Sequence, residues 1–321
     1  MKKKIIIDTD PAMGTKGGDP EDCFAIMLAM NSPELDILGI TTVQGNVPVE
    51  RGFSNAMYLV EQLEKDIPVH TGQPGTYDLD RNKKREWLGQ RQEMEQITPM
   101  LSIESDKKGA PAFIVETAEE NSGDIELVTI GPLTNIAQLL IENPNIDEKI
   151  SEIVLMGGNA LSQGNASPAA EANIRNDPEA ANIVFSSNTL ITMVGLDVTN
   201  EVFMNDNTIN EITSSGSRET DHLKLILPHY VDFLSKFYNK TGMPIHDSSA
   251  IAYLIDKNLF KTIKYPIVVE TEGISRGKTW MGTSKTEDVN DPWSNRVDVN
   301  ICIEVDSEKV IRLITKTLTS L

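Results

Sequence analysis

The sequence predicts a single α/β domain over residues 1–321, with an open, mostly parallel central sheet flanked by helices. Strand-like apolar runs alternate with helix-length segments along almost the whole chain, which is typical of right-handed crossovers between parallel strands. The length of 321 residues suits one large domain, and no linker, repeat or low-complexity block divides it.

The first half of the chain alternates strictly between the two kinds of segment. We predict that KKIIID forms a buried strand, CFAIMLAMNS a helix and LDILGITTVQG a second strand. SNAMYLVEQLEK is predicted to form an amphipathic helix, and IPVHTG a short strand. Residues 73–109 are polar and irregular, and they are predicted to form a long excursion from this pattern.

The second half resumes the alternation after the excursion. Helices are predicted in APAFIVETAEE, PLTNIAQLLIENP and DPEAANIVFSS, and strands in DIELVTIG, ISEIVLMGG and TLITMVGLDV. The pattern is then mainly helical to about residue 257, and it closes with the strands YPIVVETEG and RVDVNICIEVD and a last helix.

Composition excludes several functional classes. A net charge of −19 and a pI near 4.6 disfavour binding to nucleic acid or to an anionic membrane surface. Cys23 and Cys302 lie far apart in apolar stretches, so we expect buried thiols rather than a disulfide or a metal site. No apolar run is long enough for a signal peptide or a membrane span, which favours a cytoplasmic location.

Polar residues follow the predicted strands where each strand ends. In open α/β sheets, ligands bind beyond the carboxyl ends of the strands. The residues expected to converge there are Asp8 and Asp10, Gln44 to Asn46, Ile130 and Gly131, Met156 to Gly158, and Asp197.

Carboxylates dominate the first of these strand ends. Asp8 and Asp10 are two residues apart on a strand and therefore point to the same face, and Asp22 follows in the first turn of the next helix. Oxygen ligands without His or Cys suit Ca²⁺ or Mg²⁺. The structural alternative is that Asp10 only ends a strand and Asp22 only caps a helix.

Two further polar clusters come later in the chain. His246 and Asp247 begin an apolar helix, where an aspartate often acts only as a cap. The segment MGGNALSQGNASPAAEANIRNDPEAA suits recognition of a polyol, or else forms a turn-rich surface loop. Its amides and carboxylates are Asn159, Asn165, Glu171, Asn173 and Asp177.

Several ordered motifs together resemble the inosine/uridine-preferring nucleoside hydrolase family (ribonucleoside N-ribohydrolases). They run from about residue 4 to residue 256: IIIDTDP, EDCFAI, GITTVQGN, IGPLTNIA, IVLMGG, GNASPAAEANIRNDPEAA, TMVGLDVT and IHDSSAIAYLI. The resemblance implies a Rossmann-related core, hydrolysis of the N-glycosidic bond in nucleoside salvage, and a homodimer or homotetramer.

The resemblance also implies roles for individual residues. One Ca²⁺ per subunit would be bound by Asp10, Asp22, the backbone carbonyl of Ile130 and Asp247, together with a water and two ribose hydroxyls. Asp10 would act as general base on the calcium-bound water, and His246 would protonate the departing base. Ribose would be held by Asn46, Asn165, Glu171, Asn173 and Asp247, with Met156 nearby and Glu21 in the place of a ribose-binding aspartate.

The chain departs from the family pattern at the opening motif DxDPGxDD. Ala12 replaces the glycine, and MGTKGGDP is inserted before Glu21 and Asp22, so that Asp19 is an alternative to Glu21 as the sugar ligand. A His-Gly pattern expected after residue 73 is missing. Aromatic residues that are candidates for stacking on the nucleobase are Trp87, Trp280, Tyr230 and Tyr238, and the base preference stays open.

Two other functions fit parts of this pattern. A haloacid dehalogenase-type phosphatase also begins with a strand and DxD, although DTDPAM departs from its DxDGT-like continuation. A nucleoside-binding protein that has lost turnover would keep the pocket without needing both a base and an acid. Release of reducing sugar, release of phosphate, or ligand-induced stabilisation without product would separate these possibilities.

Overall fold

The apolar runs of the sequence form a nine-stranded sheet and one two-stranded ribbon. The structure is a computed structural model that describes residues 2–15, 18–77, 95–102, 106, 108–121, 123–216, 218–238, 241–282 and 291–319. The strands are β1 (Lys3–Thr9), β2 (Leu35–Thr42), β3 (Val69–Thr71), β4 (Glu126–Thr129), β5 (Glu152–Met156), β6 (Ile191–Val194), β7 (Phe203–Met204), β8 (Met243–Pro244), β9 (Phe260–Val269), β10 (Thr279–Met281) and β11 (Asp298–Val305).

The strand order of the large sheet is β10-β9-β11-β6-β5-β4-β1-β2-β3. All its pairings are parallel except those of β9, which runs antiparallel to both β11 and β10. The first six strands therefore have the 3-2-1-4-5-6 order of the Rossmann fold, in which ligands bind at the crevice between β1 and β4. Asp8 and Asp10 end β1 beside that crevice, and Ile130 follows β4.

Helices cover both faces of the sheet. They are α1 (Glu21–Met30), α2 (Val49–Gln62), α3 (Ala110–Glu120), α4 (Thr134–Glu142), α5 (Ala172–Asn176), α6 (Pro178–Val184), α7 (Leu196–Thr199), α8 (Asp206–Thr213), α9 (Arg218–Tyr238), α10 (Asp247–Ile255) and α11 (Ser307–Thr319). Short 3₁₀ turns cover Ile146–Lys149 and Lys257–Leu259. Within the described residues, no helix has the length and apolar character needed to cross a membrane.

The alternation of side chains along β1 divides the core into two layers. Ile5 and Ile7 belong to a buried apolar cluster with α1, α2 and α10, whereas Ile6 belongs to the cluster with α3, α4 and α6 on the opposite face. In the first layer α1 packs directly against α10. This contact matters for the site because both helices begin at the carboxyl edge of the sheet.

The structure confirms the predicted fold class, with differences at short elements. The strand predicted in TLITMVGLDV ends at Val194, and Asp197 lies in the four-residue helix α7. The two- and three-residue strands β7, β8 and β10 were not predicted. Cys23 and Cys302 are buried free thiols, as expected.

Candidate active site

Asp22 is held against the end of β1 at the start of α1. Its Oδ1 atom accepts hydrogen bonds from Thr9 Oγ1 at 2.5 Å and from the backbone N–H of Asp10 at 3.2 Å. The side chain lies in the first turn of α1, where the helix dipole favours a negative charge. The sequence therefore brings Asp10 and Asp22 together although the Gly-rich insertion separates them.

The Asp10 carboxylate lies between two glycines. Its Oδ2 atom accepts a hydrogen bond from the backbone N–H of Asn46. A Cβ atom on Gly131 would be 3.0 Å from Asp10 Oδ1, and one on Gly45 would be 2.7 Å from Asp10 Cγ. Both distances are shorter than ordinary contacts, so side chains at these two positions would displace the carboxylate.

The packing of α1 against α10 adds two more carboxylates. Asp247 lies in the first turn of α10, and its backbone N–H donates to Glu21 Oε2 at 3.0 Å. Glu21, Asp22 and Asp247 are at most 7% exposed. Glu21 Oε1 and Asp22 Oδ2 are buried and have no hydrogen-bond partner among the described residues. A buried carboxylate oxygen without a partner is costly, which points to a missing cation or donor.

Burial and mutual repulsion govern the electrostatics of this cluster. Burial raises the pKa of Asp22 to about 7. Burial also raises the pKa of Asp247 well above its usual value, and the charges of Asp22 and Glu21 raise it further. The pKa of Glu21 is raised by burial and by the charge of Asp19. A divalent cation would reverse these effects, because it favours the ionised form of every neighbouring carboxylate.

The available donors fit a hard cation. They are carboxylate oxygens and the backbone carbonyl of Ile130, which is buried at the end of β4 and accepts a hydrogen bond from Asn173 Nδ2 at 2.9 Å. No three carboxylate, imidazole or thiol groups in the described ranges are close enough to form a complete ligand cluster. The predicted calcium site therefore stays a prediction.

Two other predicted sugar ligands, Asn173 and Glu171, make hydrogen bonds near the carboxyl ends of β4 and β5. Asn173 Nδ2 donates to the carbonyls of Ile130 and Met156, at 2.9 and 3.1 Å, and so joins the ends of β4 and β5. Glu171 caps α5 by accepting from the backbone N–H groups of Asn173 and Ile174, and it also accepts from Gly158. These hydrogen bonds stabilise the segments that follow β4 and β5. Direct contact of Asn173 and Glu171 with sugar stays a prediction.

Asn165 lies further out than the other predicted sugar ligands. It is exposed, and its Oδ1 atom accepts a hydrogen bond from the backbone N–H of Ala172 at 3.0 Å. The structure therefore shows it as a support for the start of α5. Its contact with ribose also stays a prediction.

His246 immediately precedes Asp247 at the start of α10. The imidazole is half-buried, and its Nδ1 atom is 2.8 Å from Thr199 Oγ1, the hydroxyl of a residue at the end of α7. This hydrogen bond constrains the orientation of the ring.

Asp19 and Tyr230 form a pair beside Glu21. Tyr230 OH donates to Asp19 Oδ2 at 3.1 Å, and Asp19 Oδ1 accepts from the backbone N–H of Glu21 at 3.0 Å. Asp19 is thus occupied with Tyr230 and the main chain, while Glu21 turns one oxygen towards Asp247. Tyr230 is buried, so the structure shows it as a support for Asp19 rather than an exposed platform for a nucleobase.

Trp280, a further aromatic candidate, is not brought to the carboxylates. Trp280 is 44% exposed on β10, the strand at the opposite end of the sheet from β3, with β9, β11, β6, β5 and β4 between it and β1. Trp87 and the side chain of Tyr238 lie outside the described residues.

The sequence analysis did not single out Asn135, a buried residue that links β1 and the end of β2 to the segment after β3. Its Nδ2 atom donates to Asp8 Oδ1 at 2.7 Å and to the Thr42 carbonyl, and its Oδ1 atom accepts from the backbone N–H of Gln73. Burial raises the pKa of Asp8 to about 7, although hydrogen bonds from Thr41 and Asn135 oppose the rise. The available signal was a polar residue on the apolar face of TNIAQLL.

The chain is similar to known proteins along almost its whole length. The family model described as inosine-uridine preferring nucleoside hydrolase matches residues 5–312. The protein named "Probable uridine nucleosidase 2" from Arabidopsis thaliana is 35% identical, covering 99% of this chain and 98% of its own length. "Pyrimidine-specific ribonucleoside hydrolase RihB" from Shigella sonnei is 34% identical, covering 87% of each chain.

A solved structure shows the same similarity in three dimensions. The structure described as "Plant nucleoside hydrolase - PpNRh1 enzyme" superposes with a TM-score of 0.86 at 30% identity, covering 100% of both chains. The family model and these relatives point to an N-glycosyl hydrolase acting on ribonucleosides, and they argue against a phosphatase of the haloacid dehalogenase type. The chain therefore belongs to the family of inosine- and uridine-preferring nucleoside hydrolases.

Proposed function

We propose that this protein hydrolyses ribonucleosides to ribose and free base through a calcium-dependent site at the ends of β1 and β4, with uridine among its preferred substrates. Two observations support the proposal. Asp10 contacts Asp22 and Asp247 contacts Glu21 at this edge of the sheet. The buried atoms Asp22 Oδ2 and Glu21 Oε1 lack partners among the described residues. The preference for uridine is taken from the name of the Arabidopsis thaliana relative, and the name of the Shigella sonnei relative gives the broader class, pyrimidine ribonucleosides.

The predicted calcium ligands are Asp10, Asp22, the carbonyl of Ile130 and Asp247. When bound, calcium would supply the positive charge that holds the ribose 2′ and 3′ hydroxyls and lowers the pKa of a water molecule. The same charge would lower the pKa values of Asp22 and Asp247, which burial otherwise raises, so that both are ionised at neutral pH.

Hydrolysis needs a base for water and an acid for the leaving group. In the proposed reaction, water attacks C1′ of the ribose while its proton passes to Asp10, and the bond from C1′ to the nucleobase nitrogen breaks. The departing base takes a proton from His246, whose ring is oriented by Thr199. The carboxylates around the sugar stabilise the oxocarbenium-like transition state electrostatically.

Among the acids near the insertion, we propose that Glu21 rather than Asp19 contacts the sugar. Glu21 Oε1 is buried without a partner in the described part of the chain, whereas both Asp19 oxygens accept hydrogen bonds. Further sugar contacts are proposed for Asn46, Met156, Asn165, Glu171, Asn173 and Asp247.

The test is a reducing-sugar assay on uridine, cytidine, inosine and adenosine, with and without a chelator. We expect release of ribose, fastest from uridine, that stops with chelator and returns when Ca²⁺ is added. Ligand-induced thermal stabilisation without product would instead indicate a binding protein. Activity that is unchanged by chelator would overturn the calcium site. We also propose a cytoplasmic homodimer or homotetramer, and light scattering would measure the oligomeric state.

A further inference from the structure

The inserted loop after Asp10 folds into the protein. Ala12 and Met13 are 0% and 1% exposed, and Met13 belongs to the same apolar cluster as α1. Beyond them, the main chain of the loop meets the segment 95–98. The carbonyl of Gly14 accepts from the backbone N–H of Ile97 at 2.8 Å, and Thr15 and Gln96 form an antiparallel bridge. The described start of the loop, residues 12–15, is therefore packed against the apolar cluster and the segment 95–98.

Arg51 on α2 holds this junction. Its Nη2 atom donates to the carbonyl of Gly14 at 2.9 Å, to the carbonyl of Thr98 at 2.9 Å and to Thr98 Oγ1 at 2.7 Å. Its Nη1 atom donates to the carbonyl of Pro99 at 3.3 Å. The side chain is 8% exposed in a chain of net charge −19, yet these oxygens are all uncharged. The fixed fork of guanidinium donors suits such a junction of main-chain carbonyls.

Two neighbours on the same face of α2 complete the contact. Asn55 Nδ2 donates to the carbonyl of Pro11 at 2.8 Å, and Asn55 Oδ1 accepts from Thr98 Oγ1. Ser54 Oγ donates to the carbonyl of Pro99 and accepts from the backbone N–H of Leu101. The spacing i, i+3 and i+4 places Arg51, Ser54 and Asn55 side by side. Pro11 directly follows Asp10, so this face holds the chain one residue beyond the proposed base.

We propose that Arg51 is a positioning residue that, by fixing the inserted loop to residues 97–99, sets the spacing between Asp10 and the pair Glu21 and Asp22. The proposal rests on the proposed function, because these three acids are its base, sugar contact and metal ligand. Without Arg51, the loop between them loses the side chain that joins Gly14 to Thr98 and Pro99. Since misplacement of a reacting group by about 1 Å can cost about 100-fold in rate, the site should weaken even though Arg51 does not line it.

The test compares Arg51→Met with a matched control, Arg296→Met. Arg296 is a half-buried arginine that likewise binds carbonyl oxygens, donating to the Asn182 carbonyl at 3.1 Å and to Asn182 Oδ1 at 2.8 Å, on α6. For each variant we would measure kcat and KM for uridine, Ca²⁺ affinity by calorimetry, and the free energy of unfolding in urea. Hydrogen exchange of the peptide covering residues 8–24 gives a readout that needs neither activity nor metal.

We expect Arg51→Met to lower Ca²⁺ affinity at least 10-fold and kcat/KM by about 10- to 100-fold, with faster exchange in residues 8–24. Arg51→Lys should restore part of both, and Arg296→Met should keep wild-type values of both. Wild-type Ca²⁺ affinity and kcat/KM in a folded Arg51→Met would overturn the proposal, as would equal losses in Arg296→Met.

A second variant covers the case in which Arg51→Met does not fold. Thr98→Val removes the hydroxyl that accepts from Arg51 and donates to Asn55, with little change in volume. It should lower Ca²⁺ affinity in the same direction, and wild-type affinity would contradict the proposal. If the wild type released no ribose from any nucleoside, the proposed function would fail, and exchange in residues 8–24 would still test the role of Arg51.

Discussion

Replacement of Gly45 by alanine tests the position of the proposed base most directly. The added methyl group would lie 2.7 Å from Asp10 Cγ and 2.8 Å from Pro132 Cδ, whereas ordinary contacts begin at 3.4 Å. Relieving the contact with Asp10 Cγ alone takes about 0.7 Å, from 2.7 to 3.4 Å, and Asp10 Oδ2, which would lie closer still to the methyl group, must move further. Gly131 closes the other side of the carboxylate, so Asp10 has little space into which to move.

A displacement of this size should act mainly on the chemical step. Because misplacing a catalytic group by about 1 Å can cost about 100-fold, we expect Gly45→Ala to lower kcat for uridine by about 100-fold. Loss of the hydrogen bond from the Asn46 N–H to Asp10 should add about 1 kcal/mol of destabilisation. Initial rates of ribose release and urea unfolding would measure the two effects separately.

Gly52→Ala is the matched control for this prediction. A Cβ atom there would lie 3.5 Å from its nearest neighbour, Pro11 Cδ, which is an ordinary contact. Since Gly52 lies inside α2, alanine should stabilise the helix by up to about 1 kcal/mol and leave kcat unchanged. A Gly45→Ala protein with kcat within threefold of the wild type would refute the placement of Asp10 as the base.

Three further predictions concern single side chains. Asp10→Asn should abolish turnover but keep a folded protein that still binds ribose, measured as a ribose-induced rise in melting temperature; a normal rate would remove Asp10 as the base. His246→Ala should slow hydrolysis of inosine more than that of p-nitrophenyl riboside, whose leaving group needs no proton; equal losses would mean that His246 is not the acid. Burial lowers the pKa of His222 from 6.5 to about 4. The unfolded chain therefore binds a proton at this ring more readily than the folded protein does, and the free energy of unfolding decreases as the pH falls from 6.5 towards 4. Between pH 7.5 and 5 this loss is about 2 kcal/mol, and His222→Phe should remove it. Urea unfolding at both pH values would measure this loss in the wild type and in the variant. An equal loss in the two proteins would contradict the assignment of the effect to His222.

The fold could be predicted from the sequence because its long elements carry strong periodic signals. The apolar run that includes Ile5, Ile6 and Ile7 predicts a buried strand, and the polar residues at strand ends predict the edge of the sheet where the carboxylates meet. The pairing of Asp10 with Asp22 also followed, since each lies at the end or start of a predicted element.

Contacts between side chains and distant main-chain groups could not be predicted in this way. Arg51 lies in an amphipathic helix, and nothing in its local pattern distinguishes a buried clamp from a solvent-exposed charge. Similarly, Tyr230 was interpreted as a platform for a base, whereas it donates to Asp19, 211 residues away in the chain. Such partners depend on tertiary packing, which hydrophobic periodicity does not encode.

The side-by-side helices α1 and α10 have a consequence for how the enzyme gains and loses activity. The bond between the Asp247 N–H and Glu21 joins groups 226 positions apart, so it forms only when two distant segments of the chain come together. Contacts between residues so far apart in sequence slow folding, because the entropy of closing the loop between them must be overcome. A fragment that lacks α1 or α10 would therefore lose the contact between Glu21 and Asp247, even if its other strands and helices formed.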